Sequence, residues 1–160
     1  MKKIIFTLLC AVFASIAVNA QTVAAAQVPS AVKKAVMMKY PKASGVQWEK
    51  KQANYEAQFM LGNNWTTAAF SPAGEWLETA SFIEATALPA NIIASVKKEV
   101  PGAEILSATA IEKAKVGKSF MVQAATEVDT FDLTYKADGT MVSKTKVVYE
   151  DDESDQSSDY

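Results

Sequence analysis

Val28-Pro29-Ser30-Ala31-Val32-Lys33-Lys34-Ala35-Val36-Met37-Met38-Lys39-Tyr40-Pro41 is the stretch whose reading decides the fold, because Leu88-Pro89 through Val100-Pro101 has the same design. Each is a run bounded by prolines twelve residues apart. Val32, Val36 and Tyr40 recur at a spacing of four, as do Ile92, Val96 and Val100, so each run lays one apolar stripe along a helix. The leading prolines suit a helix start, where a missing N–H costs nothing. The trailing prolines push Tyr40 and Val100 out of helical geometry and end the helix. Helices of about three turns are not stable alone in water, so each must lie on something.

The segments after each helix alternate as strands do. The first set is Val46 to Lys50, Tyr55 to Leu61, Trp65 to Phe70 and Glu75 to Ile83. The second is Ile105 to Glu112, Ser119 to Thr126, Thr130 to Tyr135 and Thr140 to Tyr149. Asn63-Asn64, Pro72-Ala73-Gly74, Val116-Gly117-Lys118 and Ala137-Asp138-Gly139 supply turn chemistry between them. The pattern predicts an α+β protein of two tandem repeats. Each repeat is a short helix followed by a four-stranded antiparallel meander, with the helices packed on one sheet face.

Outward from this body, the first twenty residues read as an address. Met1-Lys2-Lys3 is basic, Ile4 to Val18 is almost wholly apolar, and Val18-Asn19-Ala20 fits a signal-peptidase site. The apolar run is shorter than the roughly 20 residues a spanning helix needs. Export to the periplasm or medium is expected, with a mature start at Gln21, and Cys10 leaves with the leader, so no disulfide is available. The domain plan is therefore a signal peptide at 1–20, a linker at 21–27, repeats at 28–84 and 85–149, and an acidic tail at 150–160. Six acids and no aliphatic residue stand in that tail, a composition expected to stay disordered and solvated.

Composition narrows function. The 160 residues contain no His and no Arg. Ser/His/Asp and Cys/His catalysis and histidine-ligated metal are thereby removed. The bidentate fork that reads phosphates and bases is absent, so a nucleic-acid partner is not expected. Glu75/Glu78 and Asp129/Asp132 are each three apart in strand-like segments, so each pair points to opposite faces and cannot flank one bond. The expectation is a protein that is no enzyme, with no cofactor and no metal site.

The period of two sorts the strands into faces. Tyr55, Ala57, Phe59 and Leu61 share one side with Thr66, Ala68 and Phe70, and Phe120, Val122 and Ala124 do so with Phe131, Leu133 and Tyr135. These are the expected core. Gln58, Met60, Trp65, Thr67, Met121, Gln123, Asp132 and Thr134 fall on the opposite side and form the candidate partner-binding set. Trp65 is the prime anchor, because Trp and Tyr concentrate at interfaces, while Trp48 and Trp76 are expected in the core.

Val28-Pro29, Tyr40-Pro41-Lys42-Ala43 and Phe70-Ser71-Pro72-Ala73-Gly74-Glu75-Trp76, answered by Leu88-Pro89, Val100-Pro101-Gly102-Ala103 and Tyr135-Lys136-Ala137-Asp138-Gly139, carry a resemblance. Together with the leader, the chain from about Val28 to Tyr149 resembles the PepSY-like proteins described as β-lactamase-inhibitor-like. That resemblance implies an exported, non-catalytic module with helices on one face of a curved antiparallel sheet. It also implies that the other face meets a protein or peptide partner in the cell envelope, in the manner of an inhibitor. The chain departs from β-lactamase inhibitor proteins in lacking disulfides after the leader, so β-lactamase as the target is not implied. A different class of function, a periplasmic carrier or sensor holding a small apolar ligand between the two repeats, fits the same composition. No membrane insertion is expected after leader cleavage, and the oligomeric state is not legible.

Overall fold

The computed structural model describes residues 21–148. The leader at 1–20, Tyr149 and the acidic tail at 150–160 lie outside the described residues. Both proline-bounded stretches are helical, α1 at Ser30–Lys39 and α2 at Ala90–Glu99. Pro29 and Pro89 stand at the N-cap, with ψ near 140° (140° and 142°), one position earlier than the first helical residue. Tyr40 and Val100 leave helical geometry yet still close the last turn, donating their N–H to Val36 and Val96 carbonyls at 2.8 and 2.9 Å.

The strands are β1 (Gln21–Thr22), β2 (Ala43–Lys51), β3 (Asn54–Leu61), β4 (Asn64–Phe70), β5 (Trp76–Ile83), β6 (Glu104–Lys113), β7 (Gly117–Ala125), β8 (Thr130–Lys136) and β9 (Met141–Lys146). All are antiparallel neighbours in chain order, in one nine-stranded sheet. This corrects the expected architecture of two tandem repeats, each with its own four-stranded meander. β5 and β6 are hydrogen-bonded over six residue pairs, from Glu78↔Lys113 to Ile83↔Ala108, so no gap separates one meander from the next. A ninth strand, β1, also pairs with β2 from within the stretch expected to be a linker. The physical reason is that ladder bonds are made by backbone N–H and C=O groups, which every residue except proline carries whatever its side chain. Side-chain patterning shows where a strand lies but not which edge it joins across an intervening helix.

Both helices lie on the same face and bury separate clusters. Val32 and Val36 pack with Ala57, Phe59, Ala68 and Phe70, and Trp48 closes that cluster. Ile92 and Val96 pack with Phe120, Val122, Leu133 and Tyr135. Phe59, Phe70, Val122 and Leu133 are fully buried, as their alternation predicts. Burying each such side chain contributes about 1.5–3 kcal/mol, which is what holds helices too short to persist alone. Between the clusters, β5 turns small polar groups to the helix side. Thr66 Oγ1 and Ser81 Oγ bond at 2.9 Å, Trp76 Nε1 donates to Thr79 Oγ1 at 2.8 Å, and Tyr40 OH bonds the same Thr79 hydroxyl.

Two turns clasp the helices. Gly74, at φ +86°, sits against the carbonyl of Ala31 in α1. In the turn before β9, Asn91 Nδ2 donates to Ala137 O at 3.1 Å and Ser95 Oγ to Gly139 O at 3.0 Å, tying α2 down.

Candidate functional site

The face opposite the helices is built by strand parity and read off the register. On β3 and β4, Gln58 pairs with Thr67 and Met60 with Trp65. On β7 and β8, Met121 pairs with Thr134 and Gln123 with Asp132, and Gln123 Nε2 donates to Asp132 Oδ1 at 3.0 Å. Opposed residues in an antiparallel ladder share a face. All of the residues singled out from sequence therefore stand on the side away from both helices, but in two groups. From β4 to β7 is three inter-strand spacings, roughly 14 Å.

The sheet supplies what lies between. Thr67 pairs with Ala80, Ala80 with Ile111 and Ile111 with Ser119. In the adjoining row, Phe82 pairs with Thr109 and Thr109 with Met121. Ala80, Phe82, Thr109 and Ile111 thus join the two groups into one field, and the candidate set read from sequence omits them. Their signal was present, since Ala80 and Phe82 alternate with Ser81 and Ile83. It becomes meaningful only once β5 and β6 are known to be adjacent.

Trp65 is the most exposed large apolar residue of the field, at 36%. Gln58, Met60, Thr67, Phe82, Ile111, Met121, Gln123, Asp132 and Thr134 are half-buried, and Thr109 is buried at 6% exposure. Neighbouring side chains on the same face do this shielding. Trp48, expected in the core, is buried there, and Trp76 packs on the edge of the same cluster with the Lys39 ammonium 4.0 Å above its ring.

Charge borders the field on one side. Glu56, Ala69, Glu78 and Lys113 succeed one another across β3 to β6. Lys51 Nζ lies 2.8 and 2.9 Å from the two Glu56 oxygens and 3.8 Å from Glu49, and Gln58 Nε2 donates to Glu56 at 3.4 Å. Lys113 and Glu78 pair at 2.9 Å. Asp129 is held by Lys146 at 2.7 Å, away from Asp132. Among the described residues, no cluster of three or more His, Cys, Asp or Glu could hold a metal. No described helix is long and apolar enough to cross a membrane.

The antiparallel sheet thus carries its core and both helices on one side, and on the other a field around Trp65 and Phe82 bordered by paired charges. The comparisons give it a family. The sequence profile described as "Putative beta-lactamase-inhibitor-like, PepSY-like" matches residues 14–60 and 53–143, and the chain belongs to that family. Among solved structures, a BLIP-like protein from Bacteroides fragilis NCTC 9343 superposes with a TM-score of 0.64 at 22% identity, covering 78% of this chain and 90% of that one. A protein from Bacteroides eggerthii DSM 20697, described as one of the "putative periplasmic proteins", gives 0.66 at 19% identity, covering 74% and 88%. A DUF2874 family protein from Bacteroides uniformis ATCC 8492 gives 0.66 at 18% identity, covering the same shares. At these identities the likeness is one of fold. No curated protein matches the chain.

Proposed function

We propose that this is a non-catalytic binding protein of the cell envelope, periplasmic or secreted, that presents its helix-free sheet face to a protein or peptide partner. The observation that carries the reading is the set of large apolar side chains on that face, Met60 against Trp65 on β3 and β4, and Phe82 and Met121 on either side of Thr109 across β5 to β7. A folded domain that needs only one covered face has no structural use for a Trp, a Phe and two Met on the uncovered one. Trp65 and Phe82 anchor the contact, with Met60 and Met121 adapting to the partner's shape. Gln58, Thr67, Gln123, Asp132 and Thr134 supply hydrogen bonds that fix orientation. The export reading is supported by the leader-like segment and by the "putative periplasmic" description of a structural neighbour. The family description supports an inhibitor role toward an envelope enzyme. The carrier alternative required a cavity between two separate units, and the β5–β6 ladder occupies that boundary.

Pull-down from envelope extract with wild type, Trp65→Ala and Phe82→Ala tests this. A partner recovered by wild type and lost or weakened at least tenfold with both variants supports the face. A truncated hot-spot residue commonly costs about 2 kcal/mol or more, roughly thirtyfold, which exceeds that factor. Equal recovery of every partner by all three proteins overturns it.

A further inference from the structure

The solvent side of α1 carries a second surface, on the opposite side of the sheet from the proposed binding face. From Ser30 to Lys42 the chain has four lysines and no acid. Two of these are engaged locally: Lys33 Nζ donates to Ala25 O at 3.1 Å, and the Lys39 ammonium lies over Trp76. Lys34 and Lys42 are exposed and have no partner among the described residues. Met37 and Met38 stand three and four positions after Lys34, so the three share one side of the helix. The methionines are 66% and 73% exposed, and Val32 and Val36 alone are the buried residues of α1. α2 provides an internal contrast. In its last turn it places Lys97 and Lys98, and its exposed face shows no large apolar residue. Covering the sheet therefore does not require thioethers at these positions.

We propose that the Lys34–Met37–Met38–Lys42 surface docks an acidic polypeptide segment of another protein. Charge complementarity selects the occupant: two exposed, unpartnered ammonium groups, Lys34 on α1 and Lys42 in the turn three residues past its end, accompany two exposed thioethers in a stretch without a carboxylate. Carboxylates of the segment meet Lys34 and Lys42, and an apolar side chain between them lies on the methionines, whose flexible, polarizable side chains adapt to irregular partners. A nucleic acid fits poorly because no arginine is available to hold phosphates in a fork. An anionic lipid surface fits poorly because the helix presents no Leu, Phe or Trp toward solvent for insertion into the interface.

Fluorescence anisotropy of a labelled peptide of glutamates interrupted by two leucines, titrated with the leaderless protein, provides the test. Expected is saturable binding at low ionic strength that weakens at least several-fold at 0.15 M salt, as screening of exposed charges requires. The double variant Lys34→Glu/Lys42→Glu weakens it by about tenfold, and Met37→Ser/Met38→Ser by a few-fold with the salt dependence retained. Lys97→Glu/Lys98→Glu, equal in charge change but on α2, stays within about twofold of wild type. The proposal is overturned by no binding at low salt, by equal losses from the α1 and α2 reversals, or by phosphatidylglycerol vesicles binding where the peptide does not. Trp65→Ala leaves peptide binding unchanged, which separates this surface from the opposite face.

Discussion

Gly74 lies so close to Ala31 that a side chain there would meet the Ala31 carbonyl oxygen at 2.7 Å. The turn between β4 and β5 therefore sets how near the first turn of α1 approaches the sheet. Gly74 also takes φ +86°, where a Cβ is strained regardless of space. Gly74→Ala should combine both costs, roughly 2–4 kcal/mol in urea unfolding, whereas Gly62→Ala, at φ +64° with nothing nearby, should show only the conformational cost of about 1–2 kcal/mol. Equal losses from the two would show that α1 does not bear on Gly74.

The two faces of the sheet predict opposite responses to truncation. Phe59 is fully buried under α1, and Phe59→Ala should cost about 3–5 kcal/mol through lost burial and the cavity left behind. Trp65, in the strand paired with β3, points away and should cost under about 1 kcal/mol when changed to Ala. Chemical denaturation midpoints distinguish them. A Trp65→Ala loss matching that of Phe59→Ala would place Trp65 in the core.

Two carboxylates on the border of the open face differ in burial, and their variants should differ accordingly. The Glu56 side chain is 8% exposed, held by both oxygens on a Lys51 that is 32% exposed, while Glu78 is 18% exposed and its partner Lys113 49%. Glu56→Gln weakens a largely desolvated pair and should lower stability by about 1–3 kcal/mol. Glu78→Gln should lower it by under about 1 kcal/mol, an effect that shrinks further at high salt. Thermal melts at two salt concentrations read both effects.

Tyr135 is fully buried with its hydroxyl lacking a hydrogen-bond partner among the described residues. Burial, with a smaller contribution from Glu99, raises its pKa above the ordinary 10.0. Burial likewise raises that of Tyr40, with Glu112 adding to the rise and the hydrogen bond to Thr79 opposing it. A group that keeps its proton more tightly when folded leaves stability intact below its unfolded pKa and lowers it as pH rises past that value toward the folded one. Melting temperature should therefore decline above about pH 10. Tyr135→Phe should raise stability by about 1 kcal/mol at neutral pH, because an unsatisfied polar group is removed without loss of ring packing. It should also make the alkaline decline shallower. A Phe variant less stable than wild type at pH 7 would mean that the hydroxyl is satisfied.

Much of this molecule was legible in its residues for a physical reason. A helix or strand that buries one side writes its period into the sequence, so Val32, Val36, Ile92 and Val96 announced the helices, and the alternation around Phe59, Phe70, Val122 and Leu133 announced the core. Backbone pairing leaves no such trace. β1 pairs through Gln21 and Thr22, which have no strand pattern, and the β5–β6 ladder joins segments that the sequence separates by α2. The candidate face suffered from the same blindness. Trp65 and Met121 could be assigned a side from their own strands, but Phe82 and Ile111 acquire meaning only from the neighbours the ladder gives them.

The residues by themselves determined where the chain is helical, which side of each strand is apolar, and which chemistries are closed by the absence of His and Arg, because these depend on side-chain type and local period alone. Tertiary structure decided that the strands form one sheet instead of two. With that, it decided that two separated groups of candidate residues belong to one surface, since hydrogen bonds between backbone groups, alike from residue to residue, set that order.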